Sequence, residues 1–212
     1  MHIDEVIKNT EYDFIPLDKM IPLKTAVNMF EEEYKRVNKS YFDRKYQRLR
    51  EIYFSLFVCK ALDAIKKKEH HLFFTKRQDR CDVSFISIDE IDKNGIISHY
   101  DVKEYVNGND SFEIFLNHVV KKSRYKDYNL IIGTHIGTNI RIDLNSIDKN
   151  IFFISSIDDK DEDKYLSRVK FLFDKEMVFD EEVNLNYLID KNLPNIIFHD
   201  KLRIKENLPP SD

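Results

Sequence analysis

Charged residues stand inside two of the apolar runs that this chain offers as β-strands. These runs are Asp82 to Ile88 (DVSFISI) and Ile96 to Val106 (IISHYDVKEYV), and both are rich in the residues typical of strands. Asp82 begins the first run, while Asp101 and Lys103 lie two residues apart inside the second. Because side chains two apart in a strand share a face, the second strand must place a carboxylate and an ammonium group together on its sheet.

These charges need a partner or solvent, because an unpaired charge in an apolar sheet destabilises the fold. Mg²⁺ prefers oxygen ligands and is commonly held by one or two carboxylates together with water and substrate phosphate. Asp82 and Asp101 on neighbouring strands would supply such a site for Mg²⁺ or Mn²⁺. Lys103 could then orient or help to deprotonate an attacking water and offset the charge that builds on a scissile phosphate.

The turn between the two strands decides whether the aspartates meet, and the sequence leaves two registers open. A tight hairpin at Asn94-Gly95 would put Ile88 opposite Asp101 and leave Asp82 about 20 Å away. A wider loop that begins near Asp89 would put Asp82 directly opposite Asp101 on the same face. The local turn signal favours the first register, whereas a shared metal site requires the second.

Helical and strand-like segments follow one another in a definite order. Residues 22–38 and 40–68 show helical patterns, and the second helix is apolar on several sides. Three strand-like runs follow, at 71–77, 82–88 and 96–106, and they predict an antiparallel meander. A helix behind a Ser N-cap comes next at 111–123, followed by strands at 128–136 and 150–157 and a last helix at 161–177. The order predicts an α/β or α+β fold, with a central mixed sheet flanked by helices.

One family shares this arrangement of elements and charges. The chain resembles the restriction endonuclease-like PD-(D/E)xK nuclease superfamily in the order of these elements. The order is a long helix with a glutamate, a strand, a strand that begins with Asp82, a strand with Asp101-Val102-Lys103, a helix and a further strand. The resemblance covers about residues 40–140 and implies a core of order α-β-β-β-α-β. It assigns Asp82 and Asp101 as metal ligands and Lys103 as the motif lysine, while Cys81 stands where the pattern name has proline.

The resemblance also implies an acidic residue on the first helix of the core. Glu51 is the candidate for this catalytic role and for a third metal ligand, with Glu69 and Glu32 as alternatives. His99 shares a strand face with Asp101 and is a further candidate ligand, although a lone strand histidine more often has a structural role.

The chain of 212 residues shows no internal repeat, low-complexity linker or Gly/Ser-rich boundary. We therefore expect one domain over 1–212, with the nuclease-like core at about 40–140, a helical segment at 1–39 and an α/β extension at 141–212. No apolar run reaches the roughly 18 residues that cross a bilayer, and the first residues lack the layout of a secretion signal. The sequence predicts a cytoplasmic protein without a membrane partner.

The net charge of −4 argues against a protein that coats nucleic acid through bulk attraction. Two local basic runs, Tyr34 to Arg50 and Lys121 to Lys126, could still contact phosphates, with a solvated helix face as the common alternative. The candidate nucleic-acid contacts in these runs are Arg44, Lys45, Arg48, Lys121 and Lys122.

Together these features predict a Mg²⁺- or Mn²⁺-dependent nuclease, endo or exo, that hydrolyses phosphodiester bonds in DNA, with RNA as the second choice. The resemblance implies work in bacterial or phage defence or in DNA processing, often with a partner protein that targets or restrains the nuclease, and it leaves a homodimer open. Two alternatives stay open. One is a non-enzymatic acidic interaction or immunity-type protein with an exposed Asp101–Lys103 ion pair, and the other is an inactivated nuclease-like fold kept for binding.

Overall fold

The computed structural model of the chain describes residues 20–37, 43–74, 81–88, 95–106, 111–122, 129–134, 150–156 and 165–189. Within these ranges the helices are α1 (Leu23–Val37), α2 (Gln47–Lys66) and α3 (Phe112–Lys122), and short 3-10 turns lie at Arg44–Tyr46 and Asn186–Leu188. The strands are β1 (Ile21–Pro22), β2 (His70–Phe74), β3 (Val83–Ile88), β4 (Gly95–Tyr105), β5 (Asn129–Thr134), β6 (Ile151–Ser156), β7 (Leu166–Phe173) and β8 (Glu176–Asn184).

The described strands form one sheet in which the spatial order follows the chain order, from β1 to β8. β2, β3 and β4 pair antiparallel, which confirms the predicted meander. β5 and β6 then run parallel to β4, and the last two strands return to antiparallel pairing. A parallel neighbour needs a crossover connection, and α3 lies in the one between β4 and β5. The predicted mixed sheet of an α+β fold is therefore confirmed.

Helices cover both faces of the sheet. Ile131 of β5 belongs to the buried cluster that contains the apolar side chains of α1 and α2. Its neighbours Leu130 and Ile132 belong instead to the cluster formed with Leu116 and Val119 of α3. Because successive strand residues point to opposite faces, α1 and α2 pack on one face of the sheet and α3 packs on the other.

Helix α2 is the central helix of the larger cluster. Residues 52–59 are all buried, which confirms the predicted burial on several sides. On the side toward α1, the ring centroids of Tyr53 and Phe30 lie 5.4 Å apart. On the side toward the sheet, Phe54 packs so closely on Gly133 that a Cβ at this glycine would lie 2.3 Å from the Phe54 ring. Gly133 therefore provides the close approach that lets α2 sit on the sheet.

The predicted helix at 161–177 is wrong over its described residues. This stretch forms β7, the turn at Asp174–Lys175 and the start of β8. Both turn residues have positive φ, of 49° and 64°, as tight hairpin turns require. In β7, Ser167 and Val169 are buried while Arg168 is exposed, which is the alternation of a strand. Periodicity alone cannot tell a helix from a strand in so short an apolar run. Here the segment forms a strand because it pairs antiparallel with β6.

Helix α3 begins behind Ser111, as the sequence predicts. The Ser111 Oγ accepts a hydrogen bond from the backbone N–H of Ile114 at 3.3 Å, and Glu113 lies in the first turn. None of the helices in the described ranges is both long enough and apolar enough to span a membrane.

We expect Gly133→Ala to lower the free energy of unfolding by about 1–3 kcal/mol, because the new methyl group would overlap the buried Phe54 ring. Urea unfolding followed by circular dichroism measures the change. A protein normally gains stability when a glycine without positive φ, such as Gly133, is replaced by alanine. An unchanged or raised stability would therefore contradict the close approach described here, and Phe54→Leu in the same background should recover part of the loss.

Candidate functional site

Strands β3 and β4 pair in the register that a shared site needs. Ile88 lies opposite Gly95, and the ladder runs from there without a shift toward the start of β3. Continued by one residue beyond the last pair, the same register puts Asp82 opposite Asp101. The tight two-residue hairpin is therefore excluded, and the connection between the strands spans residues 89–94, which lie outside the described ranges.

The Asp82 carboxylate is fixed by the backbone of β4. Its Oδ2 accepts a hydrogen bond from the N–H of Val102 at 2.8 Å. The N–H of Asp82 donates to the carbonyl oxygen of Tyr100 at 3.0 Å. These two bonds hold Asp82 against β4, so its side chain has little freedom to leave the start of the strand pair.

The ammonium group of Lys103 lies close to both aspartates. Its Nζ is 3.7 Å from Oδ2 of Asp82 and 3.5 Å from Oδ2 of Asp101. Because both Oδ2 atoms lie this close to the same Nζ atom, the distance between them cannot exceed the sum of these two distances. The exposed fractions are 28% for the Asp82 side chain, 14% for Asp101 and 39% for Lys103, so solvent and small ions can reach the group.

The first turns of α2 add two more charges to the same place. Glu51 and Arg48 are three residues apart and share a helix face. The Nη1 atom of Arg48 lies 3.0 Å from Oε2 of Glu51 and 3.6 Å from Oδ1 of Asp82. Its Nη2 donates to the carbonyl oxygen of Asp82 at 2.8 Å. We call this group of side chains the carboxylate cluster. It consists of the acidic residues Glu51, Asp82 and Asp101, with Arg48 beside Glu51 and Asp82 and Lys103 beside Asp82 and Asp101.

The alternatives to Glu51 lie elsewhere. Glu32 is on α1, where its Oε1 accepts a hydrogen bond from Lys35 at 3.3 Å. Glu69 lies beyond the C-terminal end of α2, whereas Glu51 lies near its N-terminal end. Of the three glutamates that the sequence offered, Glu51 is the one that lies near Asp82, with Arg48 in contact with both.

The environment of Glu51 disfavours its ionised form. Burial raises the pKa of Glu51, and the negative charge of Asp82 raises it further. The Arg48 guanidinium and the side-chain amide of Gln47, whose Nε2 donates to Glu51 Oε1 at 3.0 Å, act in the opposite direction. The net result is a raised pKa, so the ionised glutamate is held in the cluster at a cost to folding stability.

The donor set suits a hard cation held by few protein ligands. Carboxylate oxygens are what Mg²⁺ and Mn²⁺ prefer, and Mg²⁺ often takes only one or two of them. Over the described ranges, no group of three or more His, Cys, Asp or Glu side chains is arranged to hold a metal ion. Asp82 and Asp101 could supply two carboxylate ligands to such an ion, with water or phosphate as the others. This pair of ligands, and Glu51 as a third, stay predictions.

The predicted nucleic-acid contacts fall into two groups. Arg44 and Lys45 are exposed in the 3-10 turn directly before α2, one turn ahead of Arg48, and Lys45 Nζ lies 4.9 Å from the centre of the Tyr46 ring. Lys121 and Lys122 are the last two residues of α3, and their side chains lie outside the described part of the chain.

His99 bonds across to β3. Its Nδ1 lies 2.8 Å from the Oγ of Ser84 and 3.6 Å from the Sγ of Cys81. Ser84 and Cys81 are both buried. These contacts describe a histidine held by the sheet, and its role as a metal ligand stays a prediction.

Two parts of the cluster were not predicted. Arg48 was predicted only as a nucleic-acid contact, yet its three-residue spacing from Glu51 is a signal for an ion pair on one helix face. The bond from the Val102 amide to Asp82 has no such signal, because it depends on where β4 lies beside β3.

Comparisons of the chain with protein-family models, with curated protein sequences and with solved structures gave no match.

We expect Glu51→Gln to raise the free energy of unfolding at pH 7, because it removes an ionised group whose pKa is raised in the folded state. The destabilisation from Glu51 is fully present above its folded-state pKa and disappears as the pH falls below its unfolded value. The gain in the variant should therefore shrink toward acid pH. Thermal melts at pH 7 and pH 4 test this, and a lower melting temperature for the variant at pH 7 would contradict it.

Proposed function

We propose that the chain is a metal-dependent nuclease that hydrolyses phosphodiester bonds in DNA, with RNA as the second choice of substrate. The observation that carries the proposal is the position of Lys103 Nζ, within 4 Å of a carboxylate oxygen on both Asp82 and Asp101. The succession α2, β2, β3, β4, α3, β5 also agrees with the core order of the PD-(D/E)xK superfamily. Both points support a place for the chain in that superfamily.

Each charged residue has a distinct part in the proposed reaction. Asp82 and Asp101 would hold a Mg²⁺ or Mn²⁺ ion, with Glu51 as the candidate third acidic residue. A bound ion would act as a Lewis acid and would lower the pKa of the water molecule that it holds. Lys103 is partly exposed, so its ammonium group could orient the attacking water, favour the loss of its proton through the nearby positive charge, and offset the charge on the scissile phosphate.

Nucleic acid would approach along the start of α2. Arg44 and Lys45 are exposed there, directly before the residues of the carboxylate cluster, and can contact phosphates on either side of the scissile bond. Because the net charge of the chain is −4, binding would depend on this local patch rather than on general attraction. A partner protein that delivers or restrains the nuclease in the cytoplasm fits such weak general attraction.

One observation favours a second candidate, the inactivated nuclease-like binding module. Oδ1 of Asp82 already faces Arg48, and Oδ2 faces Lys103 and the Val102 amide. A cluster in which Arg48 and Lys103 offset most of the negative charge could persist without a metal ion. This candidate predicts nucleic-acid binding that does not depend on Mg²⁺ and is not followed by cleavage.

We expect the purified chain to cleave plasmid, linear duplex or single-stranded DNA when Mg²⁺ or Mn²⁺ is present. Asp82→Asn, Asp101→Asn and Lys103→Met should each lower the cleavage rate at least about 100-fold, because each removes a metal ligand or a group that stabilises the transition state. Gel assays on labelled DNA and RNA substrates measure the rates.

The matched control is Asp180→Asn on β8. It makes the same chemical change in an ion pair with Arg168, four strands away from β4 in the sheet. Its rate should stay within about twofold of wild type, in line with the small effect of exposed ion pairs. Binding without cleavage by the wild-type chain would favour the inactivated module. Equal rates in the wild type and all three cluster variants would remove the nuclease proposal.

A further inference from the structure

Both oxygens of the Asp82 carboxylate already have neighbours that a metal ion would have to share or displace. Oδ2 accepts the Val102 amide at 2.8 Å and lies 3.7 Å from Lys103 Nζ. Oδ1 lies 3.6 Å from Arg48 Nη1. A divalent cation that binds Asp82 therefore meets a positive charge whichever oxygen it takes.

The two oxygens differ in how easily their neighbours can leave. The Val102 amide is part of the β4 backbone and stays beside Oδ2 as long as the sheet is intact. Oδ1 faces the side chain of Arg48, at a distance longer than a direct hydrogen bond. Oδ1 is therefore the oxygen that can be released to a metal ion without any change in the backbone.

Arg48 has other attachments that do not involve the Asp82 carboxylate. Its Nη2 donates to the Asp82 carbonyl oxygen at 2.8 Å, and its Nη1 contacts Glu51 Oε2 at 3.0 Å. Its guanidinium carbon lies 5.9 Å from the centre of the Phe74 ring, within the range of a cation–π contact. The side chain is only 18% exposed. Its positive charge thus stays beside Asp82 even when the contact with Oδ1 is lost.

We propose that Arg48 is a positioning residue that competes with the divalent cation for Oδ1 of Asp82 and thereby keeps the metal affinity of the carboxylate cluster low. This inference rests on the proposed function, since it requires a metal ion at Asp82. Two like charges that approach one oxygen repel each other, and because Arg48 is only 18% exposed, water screens its charge less than that of a fully exposed side chain. Before a metal ion binds, Arg48 serves as the counter-ion of Asp82 and Glu51.

The test is the affinity of the full chain for Mn²⁺ alone, measured from the loss of the electron paramagnetic resonance signal of free Mn²⁺. Arg48→Gln should bind Mn²⁺ on the order of tenfold more tightly than wild type, because the competing charge is gone. Arg48→Met keeps an aliphatic contact with Phe74 and serves as a second neutral variant, should the first fail to fold in a thermal melt. Arg48→Lys restores the charge and should return the affinity to within about threefold of wild type.

Two further variants decide what the result means. Arg44→Gln removes one positive charge from the exposed turn four residues earlier and should leave the affinity within about twofold of wild type. Asp82→Asn should weaken Mn²⁺ binding in the wild-type and Arg48→Gln backgrounds alike. If Asp82→Asn has no effect in the wild type, the proposed metal site itself is wrong. If Asp82 does bind Mn²⁺ but Arg48→Gln and Arg48→Met bind no more tightly than wild type, or Arg44→Gln tightens binding as much, only the role of Arg48 is overturned.

Discussion

The pairing register of β3 and β4 is the constraint on which the site depends. With Ile88 opposite Gly95, the start of β3 reaches Asp101, and Lys103 then lies beside both aspartates. A shift by one residue would turn Asp82 to the opposite face of the sheet, and a tight turn at Gly95 would carry it far from Asp101. Alternate residues of β3 and β4, namely Val83, Phe85, Tyr100 and Val102, are buried in the cluster that contains the apolar side chains of α1 and α2. A slip of one strand by one residue would turn its buried residues to the other face, which opposes such a slip.

The carboxylate cluster carries a cost in folding stability. Glu51 is largely buried beside Asp82, and its raised pKa shows that the ionised form is disfavoured there. Arg48 and Gln47 offset part of this cost by hydrogen bonds to Glu51, and Lys103 lies beside the two aspartates. Charges gathered in this way at the edge of an apolar core are typical of functional sites, where pKa values depart from their ordinary range.

Much of the fold could be predicted from local patterns, because the elements concerned carry their own signals. Three features follow from residue spacing: the Ser111 cap, the burial of α2 on several sides, and the meander. The segment at 161–177 could not be assigned correctly, since its strand character comes from pairing with β6. For the site, the charged residues in apolar strands indicated Asp82, Asp101 and Lys103, whereas Glu51 was implied by the family resemblance alone. The register and the bridging position of Arg48 depend on contacts between distant segments, which the sequence does not encode locally.

A crystal structure of the chain soaked in Mn²⁺, with anomalous scattering used to locate the ion, would show directly whether Asp82 and Asp101 share a metal ion. We predict a peak between Asp82 and Asp101, with carboxylate oxygens about 2.1–2.3 Å from the ion and Lys103 beside it. The same soak of Asp82→Asn should weaken or abolish the peak. Aspartates turned to opposite faces of the sheet, or an ion bound only at other residues, would rule out this metal site.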